Sequence, residues 1–292
     1  MPKQRLELYR REVESFLEQC LDARRMPATL YESMRYSLLA GGKRVRPVFC
    51  LVWAELLGGD RQAVLPFASG LECIPTYSLV HDDLPAMDDD DLRRGKPSNH
   101  KQFGEAMAIL AGDGLLTHAF ELMLHADLPA ERLVRAAGLV AGAAGASGMI
   151  GGQVTDIQLT GSGATNVEDL RAMHGMKTGA LLQVACTSGA VLAGAIEEDI
   201  QRAATYGGAL GLAFQVADDI LDVVGDEAAL GKPVGSDQGA DKVTYPALMG
   251  LDKSKSLGQE MVAQAQEALQ GKSGPQADFL SDLAQYVMDR TE

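Results

Sequence analysis

The sequence predicts an all-α fold, organised as a single domain over residues 1–292. Three observations carry this expectation. Apolar residues recur at helical spacing along most of the chain, runs of alternating β-branched residues are nearly absent, and none of the Gly- and Pro-bearing breaks reads as an interdomain linker. With 292 residues and 46% hydrophobic content, the chain can bury a large core.

The first helix is read from "LELYRREVESFLEQCL", which sets Leu6, Tyr9, Val13, Phe16 and Leu17 on one stripe with charges opposite. The same pattern predicts helices over 30–40, 47–57, 62–80, 106–124, 131–146, 167–193, 196–224, 253–269 and 277–290. Between them lie "AGGKRVRP", "LGGD", "RRGKPSN", "TGSGATN", "GDEAALGKPVGSDQGAD" and "QGKSGPQ". The Gly- and Ala-rich stretch 136–150 is too short to span a bilayer and reads as a helix packed closely on its neighbours. Pro75 falls inside the apolar run 62–80, where it should kink the helix at a cost of about 3 kcal/mol.

Composition narrows the function. A net charge of −14 and a pI near 4.8 argue against a nucleic-acid partner, whose phosphates would be repelled. Cys20, Cys50, Cys73 and Cys186 show neither CxxC spacing nor a disulfide framework, which points to a reducing cytoplasm. The N-terminus is charged and amphipathic, without a signal-peptide apolar core. A soluble cytoplasmic protein without membrane insertion is the expectation.

Two acidic clusters stand out. In "FQVADDILDVVGD", Asp218 and Asp222 are four apart and share a helix face, with Asp219 on the adjoining edge. Their neighbours are apolar, so the carboxylates need compensating cations. Oxygen donors without Cys or His suit a hard ion, Mg2+ first and Mn2+ as an alternative. In "HDDLPAMDDDD", Asp82 and Asp83 end a helix and Pro85 cannot continue it, so Asp88 returns towards Asp82 through "LPAM". Asp89, Asp90 and Asp91 read as solvated or salt-bridged. Neither cluster has the Gly and Glu positions of an EF-hand.

Matching cations sit in Gly-containing turns: Lys43, Arg44 and Arg46 in "AGGKRVRP", Arg93 and Arg94 in "DLRRGKP", then Lys177, Lys232 and Lys242. With the acidic motifs they describe a cavity for two phosphorylated groups, one bound through metal and one directly.

The set "GGKRVRP", "HDDLPAMDDDDLRRGKP", "GGQ", "KTGALL", "FQVADDILD" and "DKVTYPAL" resembles the trans-isoprenyl diphosphate synthases, in the order and spacing of their bacterial short-chain, farnesyl-producing branch. The resemblance implies a helical bundle around a deep central cavity, commonly a homodimer. It implies that Asp82, Asp83 and Asp88 form one metal-binding set, and Asp218, Asp219 and Asp222 the other, with three Mg2+ clamped against an allylic diphosphate. Arg93, Lys177 and Lys242 would also hold that diphosphate; Lys43, Arg46 and Arg94 would hold isopentenyl diphosphate without metal. Gln215 and the Lys177–Thr178 carbonyl region resemble the wall that stabilises the allylic cation. Gln153 shapes the pocket or serves structure. Lys232 lies in a segment suited to a mobile lid.

Tyr77 lies five residues before Asp82, roughly 7.5 Å along the helix axis. It reads either as a core aromatic or as the pocket floor that favours a C15 over a C20 product. Three residues depart from the family pattern: Pro75 and Met176 stand where His is common, and Asp241 where Gly is usual. Weaker, or differently organised, binding of isopentenyl diphosphate follows from Pro75. A terpene cyclase would not need the second set of basic residues, and a regulatory subunit would not need both aspartate sets.

Overall fold

The computed structural model describes residues 2–159, 166–224 and 243–289. Among them, helical periodicity becomes fourteen α-helices, one π-helical turn and one two-stranded hairpin. The all-α expectation therefore holds. The chain opens with α1 (Pro2–Leu17), α2 (Ala28–Leu38), α3 (Val45–Leu56) and α4 (Arg61–Asp82). The hairpin strands β1 (Leu92–Arg93) and β2 (Lys96–Pro97) follow, then α5 (Asn99–Phe103), α6 (Glu105–Leu124), α7 (Ala130–Ala144) and α8 (Met149–Leu159). After α9 (Val167–His174) come the π turn Gly175–Gly179, α10 (Ala180–Ala193) and α11 (Glu197–Val224). The described chain closes with α12 (Tyr245–Met249), α13 (Leu251–Ala268) and α14 (Pro275–Asp289).

The core lies where α3, α4, α10 and α11 meet. α10 is apolar nearly all round, as a central helix must be, and eleven consecutive positions from Leu181 to Leu192, Gln183 apart, are buried. Trp53 of α3 meets Tyr206 of α11 edge-on at 5.6 Å, and the Tyr206 hydroxyl donates to the Leu280 carbonyl at 2.8 Å. That bond draws α14 onto the centre. Tyr9 stacks on Phe279 at 5.8 Å and brings α1 against the same helix.

α4 carries the first acidic motif. Asp60 caps it, its carboxylate accepting the Gln62 N–H at 2.9 Å. The helix then runs through Pro66 and Pro75 to Asp82 without interruption. Pro75 thus does not divide it. Ile74 and Thr76 on either side are buried, and their packing holds the backbone where proline leaves one carbonyl without its helical donor.

Sequence periodicity missed four elements. α8 begins in "MIGGQ", where small residues erase the apolar stripe. The hairpin has strands of two residues, too short to alternate, joined by Arg94 (φ 54°) and Gly95 (φ 76°). Two left-handed residues in succession give the turn that follows strand twist. α5 and α12 are single short helices. α4, α6 and the stretch Ala130–Leu159 are long and apolar enough to cross a membrane, although 78% of the α4 window is buried inside the protein.

Candidate active site

Asp82 ends α4, and its carboxylate accepts from the Ser78 hydroxyl one turn earlier at 3.0 Å. Beyond it the chain turns back on itself. Met87 N–H reaches the Leu84 carbonyl at 2.8 Å, and Asp88 N–H reaches the Asp82 carbonyl at 2.8 Å. The "LPAM" excursion therefore returns Asp88 beside Asp82. Burial pushes the Asp82 carboxyl above the usual range; Ser78 and the Lys177 charge oppose this, Asp88 adds to it, and Arg93 opposes it again. Lys177, Asp88 and Arg93 thus all face Asp82.

Asp83 points elsewhere. It is only 2% exposed, and its Oδ1 accepts from Arg93 Nε at 2.9 Å and also from Arg93 Nη2. Burial raises its carboxyl while Arg93 pulls it down. Arg93 also donates to Asp90 at 2.8 Å, and Lys101 pairs with Asp91 at 2.7 Å. Asp90 and Asp91 are salt-bridged, and Asp89 is exposed with φ 52°.

Lys177 and Thr178 sit in the π turn between α9 and α10. A wide turn inside a helix redirects carbonyls from their usual partners, a device common at functional sites. Two glycines hold it. A Cβ on Gly152 of α8 would collide with the Lys177 backbone, and one on Gly211 of α11 would lie 2.8 Å from the Gly179 Cα. The "GGQ" motif therefore acts first through Gly152, by letting α8 touch the turn. Gln153, next to it, is half-buried, and Asp156 one turn on pairs with Lys177 at 2.6 Å. Asp156 is a site residue that sequence reading missed; its spacing of three from Gln153 was the signal.

On α11, Asp218 is half-buried, while Asp219 and Asp222 are buried. Asp219 Oδ2 accepts the Tyr245 N–H at 2.9 Å, so this carboxylate secures the start of α12. Gln215 is half-buried beside Phe214, whose ring faces Lys43 Nζ at 5.9 Å. That contact places the 41–44 loop against α11. Lys232 and Lys242, with Asp241, lie outside the described residues.

The basic rim divides differently from the sequence grouping. Arg44, with φ 52°, turns inward and is 2% exposed. It donates to Glu72 at 2.8 Å and to the Leu38 carbonyl at 2.8 Å, which makes it a structural residue. Arg46 and Arg94 remain. Burial lowers the pKa of Arg46, opposed by Glu72 and reinforced by Arg94; burial likewise lowers Arg94, opposed by Glu72 and reinforced by Arg44 and Arg93. Several guanidiniums thus surround one acid, Glu72, and Arg46 Nε is buried without a hydrogen-bond partner. The excess positive charge fits an anion. Arg94 also donates to the Gly41 carbonyl, and its guanidinium lies over Gly42, where φ is 133°.

Tyr77 is 6% exposed in the main core cluster, with its hydroxyl unpartnered and its ring 5.8 Å from His81. Met176 is half-buried, its Cε against Gly151. Among the described residues, no three acidic, His or Cys side chains converge tightly enough to hold an ion by themselves. The motifs nevertheless fit Mg2+ as partial shells, since their donors are carboxylate oxygens and burial leaves Asp82 short of compensating charge.

Fold and site together define a helical scaffold of the trans-isoprenyl diphosphate synthase kind. The chain belongs to the polyprenyl synthetase family, whose profile matches residues 27–277. It is 47% identical over 268 residues to the chloroplastic geranylgeranyl pyrophosphate synthase of Catharanthus roseus, covering 91% of this chain and 75% of that one. It is 45% identical over 284 residues to a dimethylallyltranstransferase of Fischerella ambigua (strain UTEX 1903), covering 97% and 82%. The geranylgeranyl pyrophosphate synthetase structure from Pyrococcus horikoshii Ot3 superposes with a TM-score of 0.90 at 30% identity, covering 98% of each chain. The chain is a trans-prenyltransferase.

Proposed function

We propose that this prenyltransferase condenses isopentenyl diphosphate head-to-tail with dimethylallyl and then geranyl diphosphate, giving (2E,6E)-farnesyl diphosphate and pyrophosphate. The buried Tyr77 ring, one and a half turns before Asp82, carries the choice of product. On this reading the growing apolar tail descends from the diphosphate towards that ring.

Asp82 and Asp88 on one side and Asp218 and Asp222 on the other would hold Mg2+. When bound, Mg2+ offsets the negative charge that develops on the departing pyrophosphate. Arg93, Lys177 and Lys242 grip the same group and stabilise the same charge. Lys43, Arg46 and Arg94 hold isopentenyl diphosphate directly, and that fixed placement supplies proximity for attack on the allylic cation. Thr178, in the π turn, and Gln215 line the path of the cation. Departing pyrophosphate takes the final proton, and Lys232 is assigned to the substrate-binding set on the family resemblance alone.

Geranylgeranyl diphosphate is the second reading, favoured by the name of the Catharanthus roseus relative. Incubating the protein with Mg2+ and dimethylallyl or geranyl diphosphate, with and without isopentenyl diphosphate, decides by product mass. A C15 product dependent on isopentenyl diphosphate supports the proposal, and a C20 product sinks it in favour of the second reading. Cyclic hydrocarbon formed without isopentenyl diphosphate, or inactivity, would overturn both.

The protein is further proposed to be a cytoplasmic homodimer. Four free cysteines are consistent with a reducing compartment. Ile109 and Leu110 on α6, Leu139 on α7, and Ile150, Val154 and Ile157 on α8 are exposed and apolar, a surface suited to a second copy. Light scattering tests the dimer; a monomer at micromolar concentration would refute it.

A further inference from the structure

We propose that Asn99 is a positioning residue for the isopentenyl diphosphate site: it ties the hairpin that carries Arg94 to α2, whose end leads into Lys43 and Arg46. The inference rests on the reading above, in which these three cations hold the second diphosphate.

The basic rim is under mutual repulsion. Arg94 lies in the field of Arg44 and Arg93, and Arg46 in that of Arg94, with Glu72 as the acid common to both. Like charges push hairpin and loop apart, so a neutral tie holds them together without cancelling the charge an anion needs.

The Asn99 side chain supplies that tie. It is 2% exposed, and each polar group of its amide goes to α2. The Ser33 hydroxyl donates to Asn99 Oδ1 at 2.9 Å, while Asn99 Nδ2 donates to the Ser33 carbonyl at 3.0 Å and to Ser37 Oγ at 2.8 Å. Ser33 thus holds both ends of the amide. Tyr36 adds a second tie, its hydroxyl donating to the Pro97 carbonyl of β2 at 2.8 Å and its ring meeting Phe103 edge-on at 5.4 Å. The Ser98 N–H closes the hairpin on the Asp91 carbonyl at 2.9 Å, and Arg94 donates to the Gly41 carbonyl just beyond α2. Between the hairpin and α4 lies a cleft lined by Tyr36, Thr76, Leu79, Arg94 and Asn99, so the support on this side comes from α2.

Arg93 is held otherwise. It donates to Asp83 at 2.9 Å and to Asp90 at 2.8 Å, which fixes it to the end of α4. Two adjacent arginines therefore have separate supports. Loosening Asn99 should disturb the diphosphate held by Arg94 and spare the one held by Arg93.

Calorimetry with isopentenyl diphosphate in EDTA reads the direct site without turnover, and Mg2+-dependent binding of inorganic pyrophosphate reads the other. Asn99→Ala should raise Kd for isopentenyl diphosphate by about tenfold or more, and that for pyrophosphate by less than about twofold. Tyr36→Phe removes one hydrogen bond and no bulk, and should raise the first Kd by about threefold. Ser37→Ala should weaken binding in the parent and add nothing to Asn99→Ala, where that bond is already gone. In turnover, KM for isopentenyl diphosphate should rise while kcat and KM for the allylic diphosphate hold. A tie that serves folding alone would lower melting and leave both Kd values in place. If Asn99→Ala, or Tyr36→Phe should Asn99→Ala not fold, binds isopentenyl diphosphate like the parent, the inference is overturned; equal weakening of both ligands overturns it too. A parent that binds no isopentenyl diphosphate in EDTA instead defeats the assignment of Lys43, Arg46 and Arg94, and this inference with it.

Discussion

Lys177 Nζ lies 2.6 Å from Asp156 Oδ2, and this pair fixes the direction of the lysine that faces Asp82. Asp156 projects from α8 and Lys177 from the π turn, so the contact joins two segments that are adjacent only in the fold. Asp156→Asn keeps the size and removes the charge. The pair is partly exposed, at 28% and 17%, so its loss is smaller than for a fully buried one. The expected result is a fall of about tenfold in kcat/KM for the allylic diphosphate, roughly 1.4 kcal/mol, with KM for isopentenyl diphosphate unchanged.

Gly152 admits the Lys177 backbone against α8. Gly152→Ala places a methyl group into main chain, which cannot move aside as a flexible side chain can. Overpacking of this kind costs about 1–3 kcal/mol. Melting should drop, and kcat should fall more than stability accounts for, because the displaced turn carries Lys177 and Thr178. A variant with parental melting and kcat would show that the close approach is dispensable.

Arg44 and Glu72 form a buried pair, 1% and 6% exposed, under the loop that presents Lys43. Glu72→Gln removes the buried countercharge and leaves the guanidinium the Leu38 carbonyl and the more distant Glu14, at a cost of about 3 kcal/mol. Denaturant unfolding measures this directly. Glu72 also faces Arg46 and Arg94, so the variant adds net positive charge beside them, and KM for isopentenyl diphosphate should not rise in proportion to the lost stability.

Tyr77 is buried about one and a half turns before Asp82, and its hydroxyl has no hydrogen-bond partner. Tyr77→Ala removes the ring and should shift product from C15 towards C20, read by mass after hydrolysis. The truncation also costs about 3–5 kcal/mol, as for other large aromatics cut to alanine. Tyr77→Phe is the control: it keeps the ring and drops the lone hydroxyl, so product length should hold. Unaltered product from Tyr77→Ala would remove this residue as the floor.

The helical class was legible because 3.6-residue periodicity survives in long amphipathic and buried segments alike. The return of Asp88 to Asp82 was legible too, since Pro85 leaves the backbone few other routes. What sequence hid was direction. "KRVR" does not reveal that Arg44 adopts φ 52° and turns into the core while Lys43 beside it stays exposed. Likewise "DD" does not reveal that Asp83 binds Arg93, and "KTG" does not reveal a π turn, because both depend on partners distant in sequence. Pro75 does not end the helix: α4 runs through it to Asp82, with Ile74 and Thr76 buried on either side.

Pro75 lies three residues beyond Glu72 on α4, hence on the face that looks towards Arg46 and Arg94. It offers no donor there, and its ring denies the Leu71 carbonyl a helical partner. Pro75→His should act twice. Restoring the backbone N–H should raise stability, by up to about 3 kcal/mol. Adding an imidazole beside the arginines supplies a donor for the second diphosphate and should lower KM for isopentenyl diphosphate. The two effects separate with Pro75→Ala, which repairs the helix without adding the ring nitrogen. If histidine and alanine stabilise equally and neither changes KM, position 75 matters only to the helix. If histidine alone lowers KM, proline at this position is what weakens the site.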